Sequence, residues 1–307
     1  MGLKHTGYID LPAHDKGGFD HAAVHTGLNR LYVAHTANDS VDVIDSVEDR
    51  YLRSIPDLAG VAGALVSEAN NLVFTSNRGE NTVGIFSPDD ESGLIKVPVG
   101  IRPNGLSYDA RSDLLLVAHV GDPTIPDSTT VSVIKVAKRE LRATILVPGR
   151  TRWTVFDPIS NAFYVNIADP AHILVIDAAH PVEIVRQFAI PVLGPHGLDI
   201  DAVEGRLFCA CDGGKIVTLE IGSGNVLSLT DISGVPDVIF YNAALHHLYV
   251  AVGDPGVIDV IDTRTLRLIE TIPTEMSAHT LAFDARQNKV YAFLPQTHRA
   301  AVYTDQV

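Results

Sequence analysis

Three histidines and one aspartate that could bind a metal ion occupy equivalent places in short, similar segments of the sequence. His196, Asp237 and His279 each begin an apolar stretch that ends in a polar residue, and they lie 41 and 42 positions apart. His21 begins a matching segment near the start of the chain. Imidazole and carboxylate groups bind Zn, Fe, Mn, Ni and Cu. The four residues are therefore candidate ligands of a divalent metal ion.

These segments belong to a repeat that covers nearly the whole chain. Seven segments match, and their first residues lie 42, 41, 48, 44, 41 and 42 positions apart. A short turn and further β-type segments follow each one, and a loop with Pro or Gly usually closes the unit. The seven first residues are His21, Gly63, Asn104, Arg152, His196, Asp237 and His279.

Four short strands in a unit of about 40–45 residues predict one blade of a β-propeller. The sequence thus predicts an all-β, seven-bladed β-propeller of four-stranded antiparallel blades, built as a single domain over residues 1–307. The seventh unit ends after its third strand, and residues 5–14 could supply the fourth. We expect this N-terminal strand to pair with the C-terminal blade, because such pairing removes an exposed sheet edge. The longest unit carries an insertion, residues 121–129, which is expected to form a loop between its second and third strands.

The units RPNGLSYDARSDLLLVAH and VIDVIDTRTLRLIETIP resemble the forty-residue YVTN-type propeller repeat. That repeat has a P-x-G-apolar start, a Y-V-x-N second strand and a V-x-V-I-D third strand. The Asn of the second strand is present at Asn77 but is replaced by His35 and His119 in two other units. The resemblance implies the propeller fold. It does not select a function, because its members include binding proteins, metal and haem enzymes, lactonases and lyases.

The innermost strand of each blade lines the central channel, so its first polar residue is expected to point at the channel mouth. Blades five, six, seven and one would then bring His196, Asp237, His279 and His21 to one side of one pore. Arg152 and Asn104 would face them, and an arginine binds a carboxylate or phosphate with two parallel hydrogen bonds. Trp153 could form a wall of this pocket or pack between blades.

A metal-dependent enzyme with its active site at the channel mouth is the function that this ring favours. A Lewis-acid site suits a lyase or hydrolase that acts on a small carboxylated, ester or lactone substrate, and iron or copper would suit an oxygenase instead. Asp237 would be a fourth ligand or a general base, although an Asp in this context could also cap a turn. Arg152 would take part in catalysis. Asn104, Arg152 and Trp153 would bind the substrate.

A binding or scaffold propeller without catalysis is the alternative, because a polar, water-filled channel needs no ligand. The formal charge of −14, from 23 basic and 37 acidic residues, argues against nucleic acids and anionic membranes as partners. The expected partner is a small, possibly anionic molecule, and the oligomeric state is left open.

Two features of the sequence bear on location. No apolar run reaches the roughly 18 residues of a transmembrane helix. The beginning of the chain lacks the pattern of a signal peptide, which predicts a cytoplasmic protein, or a periplasmic one if a leader is missing from the sequence. Cys209 and Cys211 are expected to be buried thiols of one strand.

Overall fold

Seven four-stranded antiparallel sheets make up the structure, a computed structural model that describes residues 2–306. Helical structure in this range is limited to two single 3-10 turns, Thr36–Asn38 and Val136–Lys138. None of the described residues forms a helix long and apolar enough to cross a membrane.

The strands of each blade follow one another along the chain, from the channel outward. Blade 1 has β2 (Ala22–His25), β3 (Arg30–His35), β4 (Ser40–Asp45) and β5 (Arg50–Ile55). Blade 2 has β6 (Val61–Ser67), β7 (Leu72–Asn77), β8 (Thr82–Ser87) and β9 (Asp90–Pro98). Blade 3 has β10 (Pro103–Asp109), β11 (Leu114–His119), β12 (Thr130–Lys135) and β13 (Glu140–Leu146). Blade 4 has β14 (Thr151–Asp157), β15 (Ala162–Ile167), β16 (His172–Asp177) and β17 (Arg186–Ala189).

The remaining blades repeat this order, except that the last one draws on both ends of the chain. Blade 5 has β18 (Pro195–Asp201), β19 (Arg206–Cys211), β20 (Lys215–Glu220) and β21 (Val226–Asp231). Blade 6 has β22 (Val235–Asn242), β23 (His247–Asp254), β24 (Val257–Asp262) and β25 (Arg267–Pro273). Blade 7 has β26 (Thr280–Asp284), β27 (Lys289–Leu294), β28 (Arg299–Gln306) and, as its outermost strand, β1 (Gly2–Asp10).

The ring closes as the sequence predicts. Strand β1 pairs antiparallel with β28, and the inner strand β26 contacts both β22 and β2. The all-β, seven-bladed propeller with its N-terminal closing strand is therefore confirmed, and so is the loop between β11 and β12 at residues 121–129.

The hydrophobic core is divided among the interfaces between neighbouring blades. Each of seven apolar clusters joins residues of two adjacent blades. Buried tyrosines of the second strands add polar contacts: Tyr249 donates to Asp305 Oδ2 at 2.6 Å, and Tyr291 donates to the carbonyl of Ser46 at 3.1 Å. Because each contact joins a blade to the next one, the core fixes the blades around the channel.

Aspartates at the ends of inner strands organise the turns that follow them. Asp157 accepts hydrogen bonds from the backbone N–H groups of Ile159 and Ser160, and Asp284 accepts those of Arg286 and Gln287. An Asp side chain commonly stabilises a turn in this way. These repeated aspartates are structural and leave the channel residues as the candidates for chemistry.

Candidate functional site

β-Bulges at the start of the inner strands of blades 2 to 6 shape the channel mouth. In blades 3 to 6 the regular pairing of the inner strand is interrupted around its first polar residue, at Asn104, Arg152, His196 and Asp237. A bulge bends a strand locally and redirects side chains, and bulges are common beside active sites. Here they occur where the ring of polar residues reaches the mouth.

Glycines beside these bulges let neighbouring blades approach closely. A Cβ atom on Gly197 would lie 2.2 Å from the carbonyl oxygen of Asp237, and one on Gly105 would lie 2.4 Å from that of Arg152. Both distances are far below van der Waals contact, so only glycine fits. The Gly of the P-x-G pattern therefore sets how tightly the ring of first residues closes.

The mouth itself is a cavity of about 690 Å³. His196, Asp237 and His279 line it from blades 5, 6 and 7, and residues 17–20, which precede blade 1, form another part of its wall. These three side chains, from consecutive blades, therefore line one cavity.

His196 lies at the centre of the polar contacts in the mouth. Its Nδ1 donates to Asp212 Oδ1 at 2.8 Å. Its Nε2 lies 3.1 Å from Asp237 Oδ1 and 2.8 Å from Arg152 Nη1. Of these two Nε2 contacts, only that with Arg152 has hydrogen-bond geometry, and Asp237 Oδ1 has no hydrogen-bond partner among the described residues. An unprotonated Nε2 accepts from Arg152, whereas a protonated one would have to turn toward Asp237, so the protonation state of His196 decides which neighbour it binds.

The two carboxylates favour the protonated imidazole. Burial alone would lower the pKa of His196, but the charge of Asp237 and the hydrogen bonds to Asp212 and Asp237 outweigh it and raise the pKa to about 9. Burial alone would likewise raise the pKa of Asp237, but the neighbouring charge of His196, with smaller contributions from His279 and His21, holds it well below its usual range. At neutral pH the site therefore holds an imidazolium–carboxylate pair beside a guanidinium.

His279 is the most open member of the group. Its Nε2 lies 4.0 Å from Asp237 Oδ2, and its side chain is 38% exposed. It is beyond hydrogen-bonding distance of the carboxylate, so it is free to contact a molecule that enters the mouth.

His21 and Trp153 do not line the mouth. Their rings stack across the channel with centroids 3.7 Å apart and an interplanar angle of 9°, and both line a second cavity beneath the mouth. His21 Nδ1 donates to Asp20 Oδ1 at 2.6 Å, while its buried Nε2 has no partner among the described residues. The expectation that His21 joins His196 and His279 in one cluster is therefore not met by this arrangement.

His21 differs from His196 in the aromatic ring it contacts. The inner strand of blade 1, β2, pairs regularly along its length. Just before it, the carbonyl of Ala34 accepts from the backbone N–H of Asp20, while the N–H of Ala34 donates to the carbonyl of His21. The start of this strand is therefore irregular too, and the stack with Trp153 is what distinguishes His21. Trp153 is large enough to reach His21 from blade 4. The equivalent positions of the other blades carry the smaller residues Gly, Ala, Val or Thr. The stack separates the mouth from the cavity below.

Asn104 is not among the residues that line the mouth, and it is engaged by a residue that the sequence analysis missed. Arg78 Nη2 donates to Asn104 Oδ1 and lies 3.4 Å from Asp20 Oδ2. Arg78 and Asp212 both directly follow the second-strand motif of their blades. The repeat alignment therefore contained a second ring of mouth residues that can be found by examining this position in every unit.

Four arginines from blades 2 to 4 and the loops before them form a positively charged region, which we call the arginine arc: Arg78, Arg102, Arg150 and Arg152. Burial and then the charges of the other three lower the pKa of Arg150. Arg102 and Arg150 form no ion pair with any described residue, and with the insertion at residues 121–129 they line a cavity of about 450 Å³. A protein with a net charge of −14 thus collects unpaired positive charge at one place, as an anion-binding site requires.

The segment before blade 1 is anchored by a pair of histidines. His14 Nε2 donates to the carbonyl of Pro295 at 3.0 Å, and its Nδ1 lies 2.8 Å from Nε2 of His35. His35 Nδ1 in turn donates to the buried Asp42 at 2.7 Å. These contacts hold the segment across blades 1 and 7 and thereby place Asp20 beside the mouth.

The side chains as arranged do not form the predicted metal site. No group of three or more His, Cys, Asp or Glu residues within 2–306 is arranged to hold a metal ion. Arg152 also lies against Nε2 of His196, which is the nitrogen that a metal ion in the mouth would need. Binding of a metal by His196, His279 and Asp237 would require the guanidinium to move away.

Comparisons with known proteins identify the fold and leave the function open. No family model matches the chain, and no curated protein matches it. It is similar to hydrazine synthase of Kuenenia stuttgartiensis, with a TM-score of 0.82 at 14% identity over 96% of this chain and 98% of that one. It is also similar to a chain in the crystal structure of the mitotic checkpoint complex, with a TM-score of 0.82 at 10% identity over 99% and 92% of the two chains. Identities this low show the fold alone.

Proposed function

We propose that the channel mouth binds a small anionic molecule and that the protein acts on it as a lyase or hydrolase of carboxylated, ester or lactone substrates. The observation that carries this proposal is the position of His196, between the carboxylate of Asp237 and the guanidinium of Arg152. General acid–base catalysis needs a group that can hold or release a proton beside a substrate that is fixed in place.

The arginine arc is the group that would hold the substrate in place beside His196. Arg152 is the member nearest to His196, and Arg150 and Arg102 extend the positive charge away from the mouth without ion-pair partners of their own in residues 2–306. A substrate carboxylate that pairs with Arg152 would draw the guanidinium away from Nε2. The imidazolium of His196 would then be free to protonate a leaving group, with Asp237 stabilising its charge.

The test starts with binding, because a binding-only propeller is the alternative function. Titration calorimetry with succinate at low salt should show binding to the wild type and at least a tenfold weaker affinity for Arg152→Gln and Arg150→Gln. Arg142→Gln, which changes an exposed arginine on the outer strand of blade 3, should keep the wild-type affinity within twofold. Equal affinities in all four proteins would refute the anion site.

Turnover is then tested with a panel of lactones, esters and hydroxy acids. Proton release, or absorbance for elimination products, should reveal an activity that His196→Asn and Asp237→Asn lower by at least a hundredfold. Succinate binding without any turnover across the panel would favour the binding function over the enzyme.

A metal-dependent form of this function is the second candidate. His196, Asp237 and His279 come from three consecutive blades and face one another, and two histidines with one carboxylate form a common site for Fe(II) or Zn. Such a site would serve a lyase or hydrolase, or an oxygenase if the metal were iron or copper. Elemental analysis of untagged protein, compared with a His196→Ala, His279→Ala double variant, should then show metal only in the wild type. A wild type that stays metal-free after incubation with these metals would rule this candidate out.

A further inference from the structure

The cavity beneath the mouth, which we call the lower cavity, has the features of a separate ligand site. It has a volume of about 290 Å³ and shares no lining residue with the mouth. The stacked rings of His21 and Trp153 lie between the two. Its walls are mostly apolar side chains of inner strands, with Ala23, Leu65, Val155 and Phe240 among them.

One carboxylate, Asp199, lies in these walls. Its Oδ1 accepts the backbone N–H of Ile200 at 2.8 Å, and its Oδ2 accepts that of Tyr241 at 2.6 Å. Within residues 2–306 no Lys, Arg or His forms an ion pair with it. Burial raises the pKa of Asp199 to about 7, because the two amides do not fully replace the lost hydration.

A second acceptor comes from His21, whose side chain is only 5% exposed. Since Nδ1 donates to Asp20, the neutral imidazole has its lone pair on Nε2, and this buried atom has no partner among the described residues. A buried polar atom without a hydrogen bond costs about 1–3 kcal/mol. The hydroxyl groups of Thr154 and Tyr108, which also line the cavity, already donate to neighbouring side chains. Asp199 and His21 therefore favour a ligand that brings hydrogen-bond donors.

The aromatic side chains of the cavity wall favour one class of hydrogen-bond donor. Trp153 and Phe240 line the cavity together with Phe156, and the faces of such rings attract organic cations. We infer that the lower cavity binds a small organic ammonium ion, with its N–H donors directed at Asp199 and its apolar body against the ring walls. This inference is independent of the function proposed for the mouth.

The sequence provides its own reporter for the test, because Trp153 is the single tryptophan of the chain and lies in the cavity wall. Titration of the full chain with 2-phenylethylamine at about pH 8, where Asp199 is ionised, should change the Trp153 emission in a saturable way. The neutral 2-phenylethanol and the anionic phenylacetate should bind at least tenfold more weakly. No saturable change with the amine, or equal affinities for all three compounds, would overturn the inference.

Variants then locate the binding. Asp199→Asn should weaken amine binding at least tenfold, while Asp212→Asn, which alters the mouth, should leave it within twofold of the wild type. Asp199 also joins blades 5 and 6 through Tyr241, so the asparagine variant is useful only if its unfolding transition stays cooperative. Ala23→Leu fills the cavity without touching Asp199 and should also abolish binding. Wild-type affinity in Ala23→Leu, or a loss in Asp212→Asn alone, would place the amine elsewhere and refute the site.

Discussion

The two ends of the channel are built from the same inner strands and have opposite chemical character. At the mouth, bulged strand starts bring Asp237 and Arg152 within hydrogen-bonding distance of His196. Below the His21–Trp153 stack the strands pair regularly, and their inward side chains are mostly apolar around one carboxylate, Asp199. Local backbone geometry, more than composition, therefore separates a charged site from an apolar one along the same strands.

The largest expected effect of breaking this arrangement comes from Asp237. Asp237→Ala leaves the His196 imidazolium beside Arg152 with Asp212 as its remaining carboxylate partner, and removing one partner of a largely buried ion pair costs about 3 kcal/mol. Urea unfolding of variant and wild type at neutral pH measures this difference. A loss below about 0.5 kcal/mol would show that solvent already screens the pair.

The pH dependence of stability tests the same ion pair through the titration of His196. Its pKa in the folded state is about 9, above the unfolded value of about 6.5. The stabilisation is therefore complete below about pH 6.5 and is lost as the pH rises through about 9, by about 3 kcal/mol in all. Urea unfolding of wild type and His196→Gln across this range isolates the effect. A constant difference between the two proteins at every pH would contradict the raised pKa.

Gly197 tests whether close approach of the blades builds the mouth. In Gly197→Ala the new Cβ overlaps the carbonyl of Asp237, and the required backbone shift should cost about 2 kcal/mol. Gly222→Ala is the matched control, because a Cβ there meets no atom within 4 Å. Equal stabilities of the two variants would mean that the bulge relaxes without strain.

The smallest effect on stability is expected at the arginine arc. Arg150→Gln removes a cation that lies near three others. The free energy of unfolding without ligand, measured by thermal unfolding, should therefore change by no more than about 0.5 kcal/mol in either direction. With succinate present, the wild type should gain stability that the variant does not. Arg142→Gln should behave as the wild type does in both conditions.

The repeat made the architecture predictable down to its closing strand. Apolar alternation, turn residues and a period near 42 positions are local properties, and each blade satisfies them independently. The same alignment also singled out His196, Asp237 and His279, which line one cavity, and Arg152, which contacts His196.

Other parts of the site could not be derived in this way. The placement of His21 depends on its stacking against Trp153 from blade 4, which the apolar pattern does not encode. The role of Asn104 depends on Arg78 from another blade, and Asp199 resembles any strand aspartate until its apolar surroundings are known. The YVTN-type resemblance remains a prediction, because no family model matches the chain.

The seventh blade also sets the order in which the chain can fold. Strand β1 pairs with β28, from Gly2 opposite Gln306 to Asp10 opposite Arg299, so this pairing closes the longest loop among the described residues and must await the synthesis of β28. Six blades can assemble before it, and contacts of such long range slow folding. Until β1 arrives, β28 presents an open sheet edge to any neighbouring chain. Loss of the first ten residues would therefore turn a closed ring into one that pairs with other copies of itself.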